Sequence, residues 1–268
     1  MTPEGPTFLA STYNLWGDAH AEARTPALRA FLRLRQPDLL ATQELRPWSR
    51  DVVDDALPGC ERVHDDFGGW ARQSNLWWRT SRFAASEHGA DDVGILDTDA
   101  RLFWVRLREV TTGAPLVFAT AHLTWPGHRD EQADLRNRRA VQARRIVERL
   151  AELCDDDTAC LFTCDINDIG PANWAFGNGG FRDSFTALGQ HSPVTHPVVP
   201  MPFTDQVGTR LSPLASPQKA IDWLFHRGPL LCRSSEVGDY FHAGSAPSDH
   251  RPVLATYTLP SAPDRPRS

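Results

Sequence analysis

Short apolar runs of strand length recur along this chain, and one after another they stop on a residue that can bind a cation or move a proton. "TFLASTYN" ends on Asn14, "LLATQEL" carries Glu44, "PLVFATAHLTW" carries His122, and "TACLFTCDIND" carries Asp165 and Asn167. "AIDWLFHRG" contains Asp222, and Asp249-His250 stand immediately before "RPVLATYTL". "QSNLWWR" and "RLFWVRLREV" are further β-type runs. Helical stretches separate the strands. "TPALRAFLRLRQPD" has Thr25 as N-cap, Pro26 at the first helical position and apolar residues at 28, 31, 32 and 34, and Gln36-Pro37-Asp38 stops it. Between Asp130 and Leu153, the residues Leu135, Val141, Ile146, Val147 and Leu150 recur at helical spacing among Arg and Glu, which predicts one long, exposed, amphipathic helix. Alternating strands and helices belong to layered α/β proteins, where the ends of several strands converge on one edge of a sheet. Residues scattered from Asn14 to His250 are therefore expected to meet in one site.

A chain of 268 residues with 41% hydrophobic content can bury a substantial core. No repeat and no linker composition interrupts it, so a single domain is expected over residues 7–259, with a flexible leader at 1–6 and a disordered tail at 260–268. The stretch 170–217 is rich in Gly, Pro, Asn and Ser and is expected to form irregular loops around a substrate pocket. The start lacks a basic leader with a long apolar run, and nowhere do about 18 apolar residues follow one another, so neither secretion nor membrane insertion is expected. Five cysteines without a C-x-x-C pair read as reduced thiols, and the cytoplasm is the expected compartment.

Lys and Arg number 28 against 34 Asp and Glu, a net charge of −6, so no global field draws this chain onto nucleic acid or an anionic membrane. Lys219 is the only lysine, which reads first as a compositional bias toward Arg. The residues at the strand ends comprise four carboxylates, two amides and two histidines. Carboxylate and amide oxygens suit magnesium, which keeps waters for substrate phosphates, whereas zinc would want a cluster of His and Cys. Histidines beside carboxylates suit proton transfer or the stabilisation of negative oxygens near neutral pH. Phosphoester hydrolysis needs those same parts.

"TYNLWGD", "LLATQEL", "ATAHLTW", "TCDIND", "AIDWLF" and "SDHRPVLATY", in that order over nearly the whole chain, resemble the endonuclease/exonuclease/phosphatase superfamily, whose members share the DNase I-like fold. Each motif alone is weak, and six in the right order are strong. The resemblance implies a four-layer α/β/β/α sandwich, two mixed β-sheets packed face to face with flanking helices, and a metal site at one end. It further implies that Glu44 is the main magnesium ligand, with Asn14 shaping that site and Asp249 contributing. Asp165 would orient or deprotonate the attacking water, and Asn167 would hold it and a phosphate oxygen. His250, oriented by Asp222, and His122 would bind the scissile phosphate.

The chain departs from the family pattern at four places. Cys164 stands where Gly usually precedes the Asp, and is expected to crowd the turn. Lys219-Ala220 replace the Arg that often precedes Ile-Asp. Arg72-Gln73-Ser74 occupy a place where DNase-like members carry a carboxylate for the histidine that His122 resembles, so His122 is expected to be oriented by something else. Trp16 takes the place of a second metal carboxylate, with Asp18 as the possible substitute. Asn75, Trp16, Trp125 and His196 are expected to contact substrate, with Trp70 and Trp174 also near the pocket loops. The eight histidines other than His122 and His250, His226 among them, are expected on the surface or in loops.

The expected activity is a magnesium-dependent phosphoesterase, with manganese as a possible substitute, acting by direct water attack. A phosphorylated small molecule or nucleotide is favoured over long DNA, and no protein partner is indicated. A DNase- or AP-endonuclease-like nuclease, an enzyme repurposed for another biosynthetic reaction, and a binding module that has lost hydrolysis stay open beside it, the last disfavoured by the intact set of site residues.

Overall fold

Strands that read as continuous apolar runs need cover on both faces, and two sheets pressed together with helices outside provide it. The computed structural model describes residues 5–155, 157–198 and 217–260. Most of the expected leader and tail, and residues 199–216 of the expected loop region, lie outside the described residues. The chain opens with β1 (Thr7–Asn14), α1 (Ala21–Arg35), β2 (Leu39–Gln43) and α2 (Pro47–Ala56). Then come β3 (Cys60–Arg62), the single turn α3 (Gly69–Arg72), β4 (Ser74–Arg79), β5 (Phe83–Asp91), β6 (Leu102–Glu109) and β7 (Pro115–His122). Helices α4 (Arg129–Asp134) and α5 (Arg139–Leu153) cross over to β8 (Ala159–Asp165), followed by α6 (Pro171–Asn178) and β9 (Arg182–Asp183). Strands β10 (Asp222–Arg227), β11 (Leu231–Val237) and β12 (Val253–Thr258) complete the described chain.

One sheet runs β11-β12-β1-β2-β4-β3 and the other β5-β6-β7-β8-β10-β9. In each, only the central pair is parallel: β1 with β2, where Asn14 lies opposite Gln43, and β7 with β8, where His122 lies opposite Asp165. Side chains alternate between faces along every strand. In β2, Leu39 and Ala41 enter the layer between the sheets, where they meet Phe118 and Leu161, while Leu40 turns to α1 and α2. In β8, Ala159 and Leu161 face that inner layer and Cys160, Phe162 and Cys164 face α5 and α6. Each fully buried Leu or Phe contributes about 1.5–3 kcal/mol, so both layers are needed to hold the sandwich. The four-layer α/β/β/α architecture is thus as expected from the sequence.

Two helices differ from their expected bounds. The first begins at Ala21, not at Pro26, and Thr25 donates its hydroxyl to the Ala21 carbonyl (2.8 Å) in place of capping. The cause is Arg24, whose buried guanidinium binds the loop before the helix and so fixes an additional turn. The expected long helix breaks at Leu135, which adopts a left-handed φ of 56° and is 88% exposed. Glu131 makes the break: it accepts the Arg138 backbone N–H (2.8 Å) and a buried Arg139 guanidinium (2.7 Å), and the Asn137 side chain caps Arg139 (2.9 Å). Acceptors for the first N–H groups of α5 come from side chains, so a second helix starts there.

His226 is a correction. It sits in β10 at 8% exposure, edge-on to Tyr257, and not on the surface. Burial, with the Arg182 charge behind it, pulls its pKa from 6.5 down to about 4. The neutral ring resists a proton that the unfolded chain accepts, so its stabilisation is complete above pH 6.5 and is lost as pH falls toward 4. The loss reaches roughly 3 kcal/mol. The urea midpoint of the wild-type protein is expected to fall more between pH 7 and 4.5 than that of His226→Phe, which has no proton to take up; equal falls would remove His226 as the cause.

Candidate active site

Topology gathers the chemistry-bearing residues at one edge. The parallel strands β1, β2, β7 and β8 all end there, delivering Asn14, Glu44, His122 and Asp165. Antiparallel β10 begins there with Asp222 opposite Asp165, and Asp249 and His250 precede β12, whose start pairs with the end of β1. Trp16, Glu44 and Asn167 adopt left-handed backbone (φ 58°, 51° and 48°), a conformation that costs a non-glycine residue about 1 kcal/mol or more. All three lie just past strand ends, where the chain must turn away from the sheet while its side chains stay over the edge.

Asp165, fully buried, is the hub. It accepts from Asn14 Nδ2 (3.0 Å) and from the Asn167 backbone N–H (2.9 Å). His122 Nε2 lies 3.5 Å and His250 Nε2 3.8 Å from its Oδ2. Asn14 Nδ2 also donates to Glu44 Oε1 (3.0 Å), joining the two sheets through one amide. Asn167 Nδ2 is 2.9 Å from His122 Nε2 and donates to the Leu123 carbonyl (3.0 Å). His122 is thus oriented by Asn167 and Asp165. Behind His250, Asp222 sits 2.9 Å from Nδ1, and Ser248 ties the same loop to the other sheet by donating to the Asn14 carbonyl (2.7 Å).

Electrostatics follow from this crowding. Burial alone would lower the His250 pKa, but the Asp222 charge and hydrogen bond, with Asp165 and Asp249, raise it well above its ordinary value. The imidazole is therefore cationic at neutral pH. Burial and the Asp222 charge raise the Asp165 carboxyl, against the opposing pull of His250 and His122. Burial would also raise Asp249, yet the hydrogen bond from His196 and the charges of His250, His196 and Arg24 hold it below the usual carboxylate value. Two neighbouring carboxyls are thus pushed apart, a pattern common at acid–base sites.

Arg24 underpins the edge. Its guanidinium is fully buried and donates to the carbonyls of Ala19 (2.7 Å), Leu15 (3.0 Å), Gly17 (3.3 Å) and Pro247 (2.5 Å). One side chain thereby ties the loop after β1 to the loop that presents Asp249 and His250. Burial pulls its pKa down to about 10, so it remains charged.

A cleft of about 630 Å³ opens over this edge, lined by Trp16, Glu44, His122, Trp125, Asp165, Asn167, His196, Asp249 and His250. Trp125 is 51% exposed at its rim. The His196 ring lies 4.4 Å from that of His250, tilted by 40°, with Nε2 3.7 Å from Asp249. Asn75 is not available to a substrate: it is fully buried, binding the Val63 and Trp70 carbonyls and the Val63 N–H. Trp70 is core at 2% exposure, and Trp174 lies along a separate surface hollow. Cys164 does not crowd the turn, since its side chain joins the helix-facing core. Asp18 turns to Arg46 (3.2 Å) and is not a lining residue. Arg46, Asp97 and Pro126 line the cleft without having been singled out from the sequence, and they sit in loops whose composition carries no periodic signal; Gln73 and Lys219, noted only as departures from the family pattern, and Ile221 line it too.

The residues present fit a hard cation. Glu44 lines the cleft with its nearest ion-pair partner, His122, 4.0 Å away, and Asp249, held ionised, lines the same cleft. Both offer carboxylate oxygens, the donor type magnesium and manganese take. Asn14 Oδ1 accepts the Trp16 N–H (2.9 Å), and its amide nitrogen donates to Glu44 and Asp165, so it helps to shape the site by fixing both carboxylates. Among the described residues, two groups of three place their ligand atoms within 4.8 Å: Asp165, Asp222 and His250, and His196, Asp249 and His250. The first is an ion-paired triad around a cationic ring, which repels a metal.

No protein-family model and no curated protein sequence matches the chain. Solved structures do. An endonuclease/exonuclease/phosphatase family protein from Bacteroides thetaiotaomicron is 19% identical, covering 100% of this chain and 100% of its own, with a TM-score of 0.74. D. rerio TDP2 complexed with single strand DNA product is 18% identical over 94% of this chain and 99% of its own, with a TM-score of 0.74. Mannosyl-6-phosphatase from Bacteroides thetaiotaomicron is 19% identical over 94% of this chain and 99% of its own, with a TM-score of 0.72. The chain has the DNase I-like α/β sandwich fold of these proteins.

Proposed function

We propose that this protein, built on the DNase I-like fold, is a metal-dependent phosphoesterase of the endonuclease/exonuclease/phosphatase kind, in which water attacks phosphorus without a covalent intermediate. The observation that carries the reading is Asp165, fully buried yet touched by Asn14, His122, Asn167 and His250. Its raised carboxyl takes the proton of the attacking water as the new P–O bond forms. Asn167, whose amide nitrogen is held by Leu123 and His122, offers its Oδ1 to accept the other hydrogen of that water. His250, cationic and held by Asp222, donates from Nε2 to a non-bridging oxygen, and His122 meets the phosphate from the other sheet. The old P–O bond breaks, and the leaving oxygen departs with its electron pair. A hard divalent ion held by Glu44 and Asp249, magnesium with manganese as a substitute, would neutralise charge on the phosphoryl oxygens.

A small phosphorylated molecule or a nucleotide is the favoured substrate. The cleft volume falls in the range of small-molecule sites, and the net charge of −6 offers long DNA no attractive field. A nuclease acting on strand ends is the second reading, favoured by Trp125, half exposed at the rim where a base could stack, and by the structural likeness to TDP2 with single-stranded DNA. No helix among the described residues is long and apolar enough to cross a membrane. Five free cysteines support a reducing compartment such as the cytoplasm.

The test is turnover of p-nitrophenyl phosphate, bis-p-nitrophenyl phosphate, a nucleotide panel and a short abasic duplex. Chelation with EDTA is expected to lower the rate by at least about a hundredfold, from loss of several kcal/mol of charge stabilisation, with recovery on adding magnesium. Full activity in EDTA would refute the metal-dependent reading, and absence of turnover on every substrate would favour a repurposed enzyme.

A further inference from the structure

We propose that Lys219 recognises a second anionic group on the substrate, so that the cleft selects phosphorylated molecules carrying two anions over those with a lone phosphate. The proposal rests on the phosphoesterase reading. Of 28 Lys and Arg residues, Lys219 is the single lysine, and it lines the cleft. Its backbone is clamped: Lys219 N–H donates to the His196 carbonyl (2.9 Å), and its own carbonyl accepts from the N–H groups of His196 (3.0 Å) and Thr195 (3.1 Å). Thr195 Oγ1 in turn accepts from the N–H groups of Ile221 (3.0 Å) and Asp222 (3.2 Å). Lys219 is therefore anchored to the two segments that carry His196 and the partner of His250, and its stem starts from a fixed point.

The position is one step outward from the residues around Asp165. His122, Asn167 and His250 surround Asp165, the His196 ring stands against His250, and Lys219 is bridged to His196. The other non-histidine cation in the lining, Arg46, is occupied by Asp18 (3.2 Å) and the Leu45 carbonyl (2.8 Å). Lys219 has no ion-pair partner among the described residues. A flexible ammonium with three donors accommodates a phosphate or carboxylate at a range of angles, where a guanidinium would demand a planar fork. The cleft thus holds two cationic positions for anions, His250 at the centre and Lys219 beside it.

Non-hydrolysable probes separate this recognition from catalysis. Binding of methylphosphonate, methylenebisphosphonate and propane-1,3-bisphosphonate would be measured by calorimetry with excess magnesium, for the wild-type protein, Lys219→Met and Lys219→Arg. The wild-type protein is expected to bind at least one bisphosphonate about tenfold to a hundredfold more tightly than methylphosphonate, the usual size of a charged hydrogen bond. That preference is expected to collapse in Lys219→Met and to survive in Lys219→Arg. Equal weakening of all three probes in Lys219→Met would place Lys219 on the scissile phosphate and overturn the proposal, as would an unchanged preference. Failure of every probe to bind the wild-type protein would instead overturn the phosphoesterase reading on which it rests.

Discussion

Replacing Asp165 by Asn is expected to lower kcat/KM on the order of a thousandfold while the protein still folds. The magnitude is that of removing a positioned general base. The substitution is nearly isosteric, and an Asn oxygen at the Oδ1 position keeps the Asn167 N–H (2.9 Å) satisfied. The damage is at Oδ2, where an amide nitrogen would face the Asn14 amide donor at 3.0 Å and the His250 ring nitrogen at 3.8 Å. Stability should also fall, by about 1–3 kcal/mol, because the buried Asn14 donor loses its acceptor and faces another donor. Single-turnover rates with saturating magnesium, beside a thermal melt, check both statements. A loss of rate below tenfold would move the base to another group.

His250→Ala is expected to cost about a hundredfold to a thousandfold, chiefly in kcat, as for other donors aimed at developing charge. The pH profile separates its charge from its bulk. Because Asp222 and the other carboxylates raise the His250 pKa above 6.5, the proton is retained as pH rises through neutrality and is lost only at the raised value, so the alkaline limb of activity lies well above 6.5. The stabilisation that the His250–Asp222 pair gives the fold follows the same limb: it is complete below 6.5 and lost as pH climbs through the raised pKa. Asp222→Asn removes the largest raising influence and is expected to draw the alkaline limb down toward pH 6.5. Profiles of kcat/KM for the wild-type protein and Asp222→Asn, measured between pH 5 and 10, decide it; coincident limbs would show that another group titrates there.

The residues of this edge were legible because each ends or borders a run of apolar residues too short for a helix, and an ionisable group at such a place has few structural uses. Asn14, Glu44, His122, Asp165, Asn167, Asp222, Asp249 and His250 converge as that pattern implies. What escaped depends on side-chain to backbone contacts that apolar periodicity does not encode. Asn75 alternates in "SNLWWR" like a residue free to face outward, and only the fold brings the Val63 and Trp70 carbonyls onto it. The break at Leu135 is invisible to helical periodicity because a carboxylate seven residues before Arg138 makes it. Helices α2 and α6 and strands β5 and β11 passed unread. Strand β5 is largely exposed, and β11 mixes half-buried with exposed positions, so neither carries the clean alternation of a half-buried strand.

The order of strands in the two sheets carries a lesson about ancestry. Counted with β11 and β12 ahead of β1, the first sheet places its strands in the spatial order first, second, third, fourth, sixth, fifth, and the second sheet repeats it from β5 to β10. In both, the third and fourth strands form the parallel pair, and helices follow both the third and the fourth. Thr7 pairs with Thr258, and the Leu259 N–H donates to the Pro6 carbonyl (3.1 Å), so these two segments lie side by side. A circular rearrangement joined there and opened between Arg227 and Leu231 would read as two tandem copies of one six-strand unit, the expected trace of duplication. In that correspondence of strands Asn14 matches His122 and Gln43 matches Asp165. The two halves have diverged into unlike residues: one carries Asn14 and Gln43, followed by Glu44, where the other carries His122 and Asp165.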